Sequence, residues 1–237
     1  FTRIWQQTIL PPVITTSLYF VIFGNLIGPR IGSMEGYDYM DFIVPGLILM
    51  GVITNSYANV ASSFYSAKFQ HSIEEILVSP TPAWLILAGY VGGGMARGIC
   101  VGLAVTAVSL FFSDLEIHSA AILASVVVLT SILFSLAGFT NGILAQSFDD
   151  VSIIPTFVLT PLTYLGGIFY SVKMLPDFWQ GVSLGNPILY MINAFRYGFL
   201  GISDIPLGVS YLLITLFIAL LFSINLLLLT RGHGIRT

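Results

Sequence analysis

Residues 205–230 read IPLGVSYLLITLFIALLFSINLLLLT: twenty-six positions without an Asp, Glu, Lys or Arg. A helix rises ~1.5 Å per residue and the hydrocarbon core of a bilayer is ~30 Å thick, so about 20 apolar residues cross it. Outward from that stretch the same pattern recurs. Residues 4–29, 42–67, 76–96, 117–148 and 151–172 are also free of charge. The nineteen charged side chains fall mainly in short seams between them. Charged residues make up 8% of the chain, hydrophobic residues 56%, and the mean hydropathy is +0.94. A soluble domain is about one quarter charged, and a chain this apolar would expose large greasy patches in water. The fold class is an all-α polytopic membrane protein.

Six membrane spans are expected, at about 10–27, 42–63, 84–112, 120–145, 151–170 and 207–229, forming one transmembrane domain over 1–237. Pro11 and Pro12 fall in the first turn of span 1, where missing N–H groups cost little. Gly28, Pro29, Gly32 and Gly36 mark the seam 28–41 as a loop. Asp149 and Asp150 are expected at the N-terminus of span 5, where the helix dipole favours acids. Cys100 lies in an apolar run and is expected to be a small buried hydrophobe. The chain opens on Phe1 instead of Met, so residues before it are expected. Phe1–Gln7 lacks the pattern of a cleavable signal peptide.

Two seams stand out. In Tyr65–Pro82, Phe69, Ile73, Ile76 and Leu77 recur at the spacing of one helical face. Lys68, His71, Glu74 and Glu75 fill the remaining positions, and Pro80 and Pro82 end the pattern. We expect an amphipathic helix over about 66–79, lying against the membrane or a partner. The region 171–206 carries Gly181, Gly185, Asn186, Pro187 and Asn193, too many breakers for a full span. We expect two short helices there, around Phe178–Ser183 and Ile188–Phe199, dipping in and returning. A seventh span is the alternative.

Arg97 is the one charge that ignores the seams. In lipid it must face protein, water or a headgroup, and it is a candidate for function or for snorkelling. Span 3 also carries small-xxx-small pairs, Gly89/Gly93, Gly94/Gly98 and Gly98/Gly102, which permit close helix approach. With the termini on one side, that side holds Arg3, Lys68, Arg231 and Arg236 against Arg30, Lys173 and Arg196 on the other. The balance slightly favours cytoplasmic termini.

Several chemistries find no residues. The only lysines, Lys68 and Lys173, do not follow P-loop glycine spacing, so the chain is not expected to hydrolyse ATP itself. His71, His118 and His233 lie in three seams, without the spacing of a metal site. Eight basic side chains make no nucleic-acid footprint. An integral-membrane enzyme would need an activated nucleophile, and a passive channel or anchor would need no energy source. Both remain as alternative classes.

The stretch Thr160–Tyr170 (TPLTYLGGIFY), followed by Leu175-Pro176, Asn186-Pro187-Ile188-Leu189-Tyr190 and Phe195-Arg196-Tyr197-Gly198, resembles the signature of type 2 ABC-exporter permeases. So do Val44-Pro45-Gly46 and Ile73–Pro80 (IEEILVSP). The resemblance covers nearly the whole chain. It implies a bacterial inner-membrane permease subunit with six spans, cytoplasmic termini and an amphipathic N-terminal helix before span 1. It further implies pairing with a second copy and docking of separate ATPase subunits, which would hold the ATP and Mg, this chain binding no cofactor. Residues 66–79 would be the cytoplasmic coupling helix between spans 2 and 3, with Lys68, Phe69, Gln70, His71, Ile73, Glu74, Glu75 and Leu77 as coupling residues. Gln70 and His71 stand where an Arg and an acidic residue are common in the family. Region 171–206 would form re-entrant helices on the external side. Arg97, Phe157, Tyr164, Phe169 and Arg196 are candidates for translocation or gating, with the span 5 aromatics lining a cavity. Substrates of such permeases include lipids, polysaccharides, drugs and ions, and the low charge of the spans mildly favours an apolar or amphipathic one.

Overall fold

A computed structural model describes residues 5–78, 80–113 and 115–232, without the side chains of residues 5, 6 and 76–78. Arg3, Asp114, His233 and Arg236, and the Leu77 side chain, therefore lie outside the described residues.

The chain is almost entirely helical. Helix α1 (Trp5–Tyr19) runs on through a wider π-helical stretch, Phe20–Ile27, into Gly28–Ile31. The expected loop after residue 27 is thus still helix for one more turn. It then closes in a hairpin of β1 (Ser33–Met34) and β2 (Tyr37–Asp38). Glu35 and Gly36 form its two-residue turn with φ of 53° and 90°, the paired positive values that suit such a hairpin. Helix α2 (Tyr39–Phe69) follows, then the short α3 (Ser72–Val78), α4 (Ala83–Ser109) and α5 (Ala120–Leu144). Helix α6 (Phe148–Ile154) continues through π-helical Pro155–Leu159 into Thr160–Tyr164. After a 3-10 turn at Val172–Met174 come α7 (Asp177–Leu184), α8 (Pro187–Leu200) and α9 (Leu207–Arg231).

Among the described residues, five helices are long and apolar enough to cross a membrane: Gln7–Ile31, α2, α4, α5 and α9. The expected fifth span, 151–170, is shorter than its charge-free stretch. Its three helical segments of 7, 5 and 5 residues end at Tyr164, giving a rod of about 25 Å. Pro155 and Pro161 each remove a backbone donor from it. Gly167, at φ +79°, turns the chain away. In the region 171–206 two short helices form, close to the expected positions.

Helix α2 is the centre of the bundle. Most of its membrane-length window is buried, whereas little of that of the outer α9 is. Glycines explain how its neighbours approach it. A Cβ added at Gly98 of α4 would sit 3.2 Å from the Val52 carbonyl oxygen and collide with Ser56 Oγ. One at Gly102 would sit 2.7 Å from Val52 Cγ2, and one at Gly94 would meet Val60 and Ser135. On the α5 side, Gly138 and Gly142 abut the carbonyls of Tyr57 and Ala61. The Gly94/Gly98/Gly102 stripe therefore packs α4 on α2 within one chain. Nothing lies within 4 Å of the positions a Cβ would take at Gly89 or Gly92. Cys100 is exposed, contrary to expectation. The glycine face is the packed face of α4, and two residues along a helix is the opposite side.

Polar side chains tie the outer helices on. Asn225 of α9 donates from Nδ2 to the Leu136 carbonyl at 2.9 Å and accepts from Thr140 Oγ1 at 2.9 Å. Such bonds between helices act as glue where water is scarce.

Candidate functional site

The end of the bundle where α2 meets α3 is built from a sharp chain reversal. Helix α2 runs past Lys68 to Phe69, and the Gln70 and His71 amides fold back, His71 N–H reaching the Lys68 carbonyl at 3.0 Å. His71 takes φ +58°, the left-handed conformation that ends many helices, here without a glycine. The segment expected as one helix over 66–79 is therefore two, broken at Gln70–His71. Phe69 and Ile73 consequently do not share a face. Ile73 is 1% exposed, seated among Val60, Phe64, Leu87, Phe139 and Ile143. Phe69 is 62% exposed, with its ring 5.2 Å from that of Phe148 at the start of α6.

Lys68, expected among the coupling residues, turns its ammonium inward. Nζ donates to the carbonyls of Ile143 and Ala145 at 2.9 and 2.8 Å. These are carbonyls at the C-terminus of α5, which lack intrahelical donors and carry the negative end of the helix dipole. Tyr65 adds a hydroxyl bond to the Gln146 carbonyl at 2.9 Å and an edge-on ring contact with Phe148. The α5–α6 turn is itself fixed. Ser147 Oγ accepts from the Asp150 amide, and Asp150 Oδ2 accepts from the amides of Gln146 and Ser147 at 2.9 and 3.0 Å. Those bonds hold the Asp150 carboxyl below the usual range, led by the one from Gln146. Ser147 and Asp150 thus cap α6, and Asp149 lies beside them in its first turn, both acids in the place expected for them.

What remains outward at this end is a compact surface: Phe69, Gln70, His71, Glu74 and Glu75, all exposed. His71 Nδ1 lies 2.8 Å from Glu74 Oε1. The surface is anchored below by Ile73 and laterally by the Lys68 and Tyr65 contacts.

At the opposite end, a polar cluster joins three connections. Lys173 Nζ lies 2.9 Å from Asp204 Oδ1 and 3.5 Å from Glu35 Oε1. The Ser171 hydroxyl donates toward Glu35 Oε1 at 2.8 Å, with Asp204 Oδ2 at 3.1 Å. Burial pulls the Asp204 carboxyl up, but Lys173, Ser171 and Arg196 together pull it further down, below its ordinary value. Lys173 is pushed up, chiefly by its bond to Asp204. Beneath them Arg196 of α8 is 2% exposed. Its Nη2 donates to the Gly167 carbonyl at 2.6 Å, its Nε to the Phe42 carbonyl at 3.4 Å, and its guanidinium lies 3.8 Å from the Phe42 ring centroid. Arg196 thus braces the start of α2 against the chain leaving α6. Neither Glu35 nor Phe42 carried a local signal for this role.

The aromatic candidates divide. Tyr164 and Tyr19 share a hydroxyl–hydroxyl bond of 2.8 Å, and Phe169 stacks on Phe23 at 4.5 Å. This cluster joins α1 to the end of α6, beside both π-helical stretches. Phe157 is 73% exposed and stands apart from it. Arg97, half-buried in α4, donates from Nη1 to Asn59 Oδ1 of α2 at 3.3 Å. The structure brings together neither Arg97 and Arg196 nor either of them with the α2–α3 surface.

A model of the ABC-2 type transporter family matches residues 1–200. The chain is 62% identical, over all 237 of its residues and 93% of the relative, to the Escherichia coli protein named inner membrane transport permease YadH. The identity and coverage are the same for the Shigella flexneri protein of that name. A more distant relative, nodulation protein J of Neorhizobium galegae, is 24% identical over 90% of this chain and 82% of its own length. With five membrane-length helices and a family match over most of its length, the chain belongs to the ABC-2 type transporter family.

Proposed function

We propose that this chain is the transmembrane permease subunit of an ATP-binding-cassette exporter in the bacterial inner membrane. Two copies pair, and separate ATPase subunits bind and hydrolyse ATP with Mg. The observation that carries the reading is the exposed Phe69–Glu75 surface on a buried Ile73 anchor, clamped to the α5–α6 turn. The termini and that surface face the cytoplasm. Helix α6 is the sixth, shorter crossing, and α7 and α8 are re-entrant on the external side.

In this reading ATP-driven closure of the ATPase pair pushes α3 and the preceding turn. Ile73 carries the displacement into α2, while Lys68 and Tyr65 carry it into the α5–α6 turn. Packed interiors deform little, so the displacement is transmitted instead of absorbed. A double variant, Glu74→Arg with Glu75→Arg, changes the charge of the docking surface without touching Ile73. Co-purified with its ATPase, it is expected to lose assembly or transport-coupled ATP hydrolysis. Unchanged assembly and coupling in that variant would defeat the docking assignment. Ion flux through the permease alone would favour the channel class instead.

A further inference from the structure

Arg97 sits near the middle of α4, at a depth where a charged side chain needs compensation. Its contact with Asn59 is neutral, and its Nε is buried without a hydrogen-bond partner. Among the described residues no ion pair involves it. The side chain borders a cavity of about 280 Å³ between α1, α2 and α4. Thr15, Thr16, Tyr19, Thr54 and Asn55 supply hydroxyl and amide groups to the same wall, and no carboxylate lines it. A cation held among neutral donors is arranged to receive an anion. Arginine presents several N–H groups in a fork that matches the oxygens of a phosphate or carboxylate. The Thr54 hydroxyl donates to the Met50 carbonyl at 2.8 Å, the Tyr19 hydroxyl pairs with Tyr164, and one Asn55 N–H goes to the Gly51 carbonyl. The hydroxyls of Thr15 and Thr16 and the second N–H of the Asn55 amide can complete the shell around those oxygens. On the outer face of α1, Leu10, Ile14 and Leu18 are half exposed at successive turns, an apolar track leading along the same helix.

We propose that this cavity binds the anionic head of an amphipathic ligand, a phosphate or carboxylate attached to an alkyl tail, with Arg97 as its counter-ion. As a substrate site it rests on the transport reading above. As a binding site it rests on this chain alone, so it is tested without an ATPase partner.

The full chain, purified in dodecyl maltoside, is titrated calorimetrically with decyl phosphate, with decyltrimethylammonium and with inorganic phosphate. Saturable binding of decyl phosphate is expected, weakened at least tenfold by Arg97→Gln and largely kept by Arg97→Lys. Neither the cationic amphiphile nor inorganic phosphate is expected to match it. A second measurement needs no variant. Decyl phosphate should protect Arg97 from phenylglyoxal, read peptide by peptide by mass spectrometry. Equal affinity in Arg97→Gln, equal binding of decyltrimethylammonium, or lack of protection at Arg97 would overturn the site. Inorganic phosphate binding as tightly as decyl phosphate would overturn the amphiphile. Failure of ATPase coupling with decyl phosphate binding intact would strike the transport reading and leave the site standing.

Discussion

Replacing Arg196 by Met should loosen the end of the bundle opposite the α2–α3 turn. The wild-type guanidinium makes a 2.6 Å bond to the Gly167 carbonyl and a longer 3.4 Å bond to that of Phe42. A hydrogen bond to a charged group is worth about 1.5–3 kcal/mol, and a desolvated cation over an aromatic ring about 2 kcal/mol. Against this stands the cost of burying the charge, which Met escapes and which is several kcal/mol in a dry site. Two consequences keep the balance on the side of loss. The Gly167 carbonyl is left without its arginine donor, at about 1–3 kcal/mol. Asp204, 6% exposed in its side chain, also loses a nearby cation. The net is about 2–4 kcal/mol, or a Tm lower by about 5–15 °C for a chain of this size. Arg196→Lys keeps the charge but not the fork and stacking, and should fall between. Thermal unfolding in detergent micelles can be followed by fluorescence of the three tryptophans. A thiol dye is unsuitable because Cys100 is exposed in the folded state. If the Met variant unfolds within about 0.5 kcal/mol of wild type, the burial cost cancels the contacts and the bracing role is refuted.

Gly98→Ala should cost about 1–3 kcal/mol through overpacking against Val52 and Ser56. Gly92→Ala, with open space around it, should be neutral or stabilising by up to about 1 kcal/mol. The two midpoints in one denaturation series decide the matter. The Asp204 carboxyl is held below its ordinary value, so its stabilising contribution is full above about pH 4 and is lost as pH falls through the native value. Lys173 has the opposite sign: its contribution is full below the ordinary lysine range and is lost as pH rises through the raised native value. Asp204→Asn should therefore flatten both flanks of a Tm-against-pH curve, and unchanged flanks would count against the cluster. Ser147→Ala removes a helix cap and should cost about 1 kcal/mol, measured by the same unfolding transition.

The long helices were legible because a charge-free run of membrane length has few other uses. The place of Asp149 and Asp150 in the first turn of α6 was legible because acids at a helix start follow from local electrostatics. What escaped was decided across the fold. The face of α4 that packs was hidden in glycines, so Cys100 was assigned to the wrong side. The inward turn of Lys68 was not legible, because the carbonyls of Ile143 and Ala145 that receive it lie 75 and 77 residues away. The break at His71 was invisible because a left-handed residue is usually announced by glycine. That the helix of the fifth charge-free stretch stops at Tyr164 was not legible, because such a stretch says nothing of where a glycine such as Gly167 turns the chain.

The two π-helical stretches, Phe20–Ile27 and Pro155–Leu159, have a consequence for how this sequence can vary in length. A π turn holds more residues than an α turn for the same advance. Deleting one residue inside such a stretch lets the helix relax to ordinary winding while the flanking residues keep their faces. Anywhere else in a span, the same deletion rotates all that follows by about 100° and turns a packed face toward lipid. Single-residue deletions should therefore survive in these two stretches and be lethal to folding in α2 or α5, so helices α1 and α6 carry the bundle's only built-in slack among the described residues.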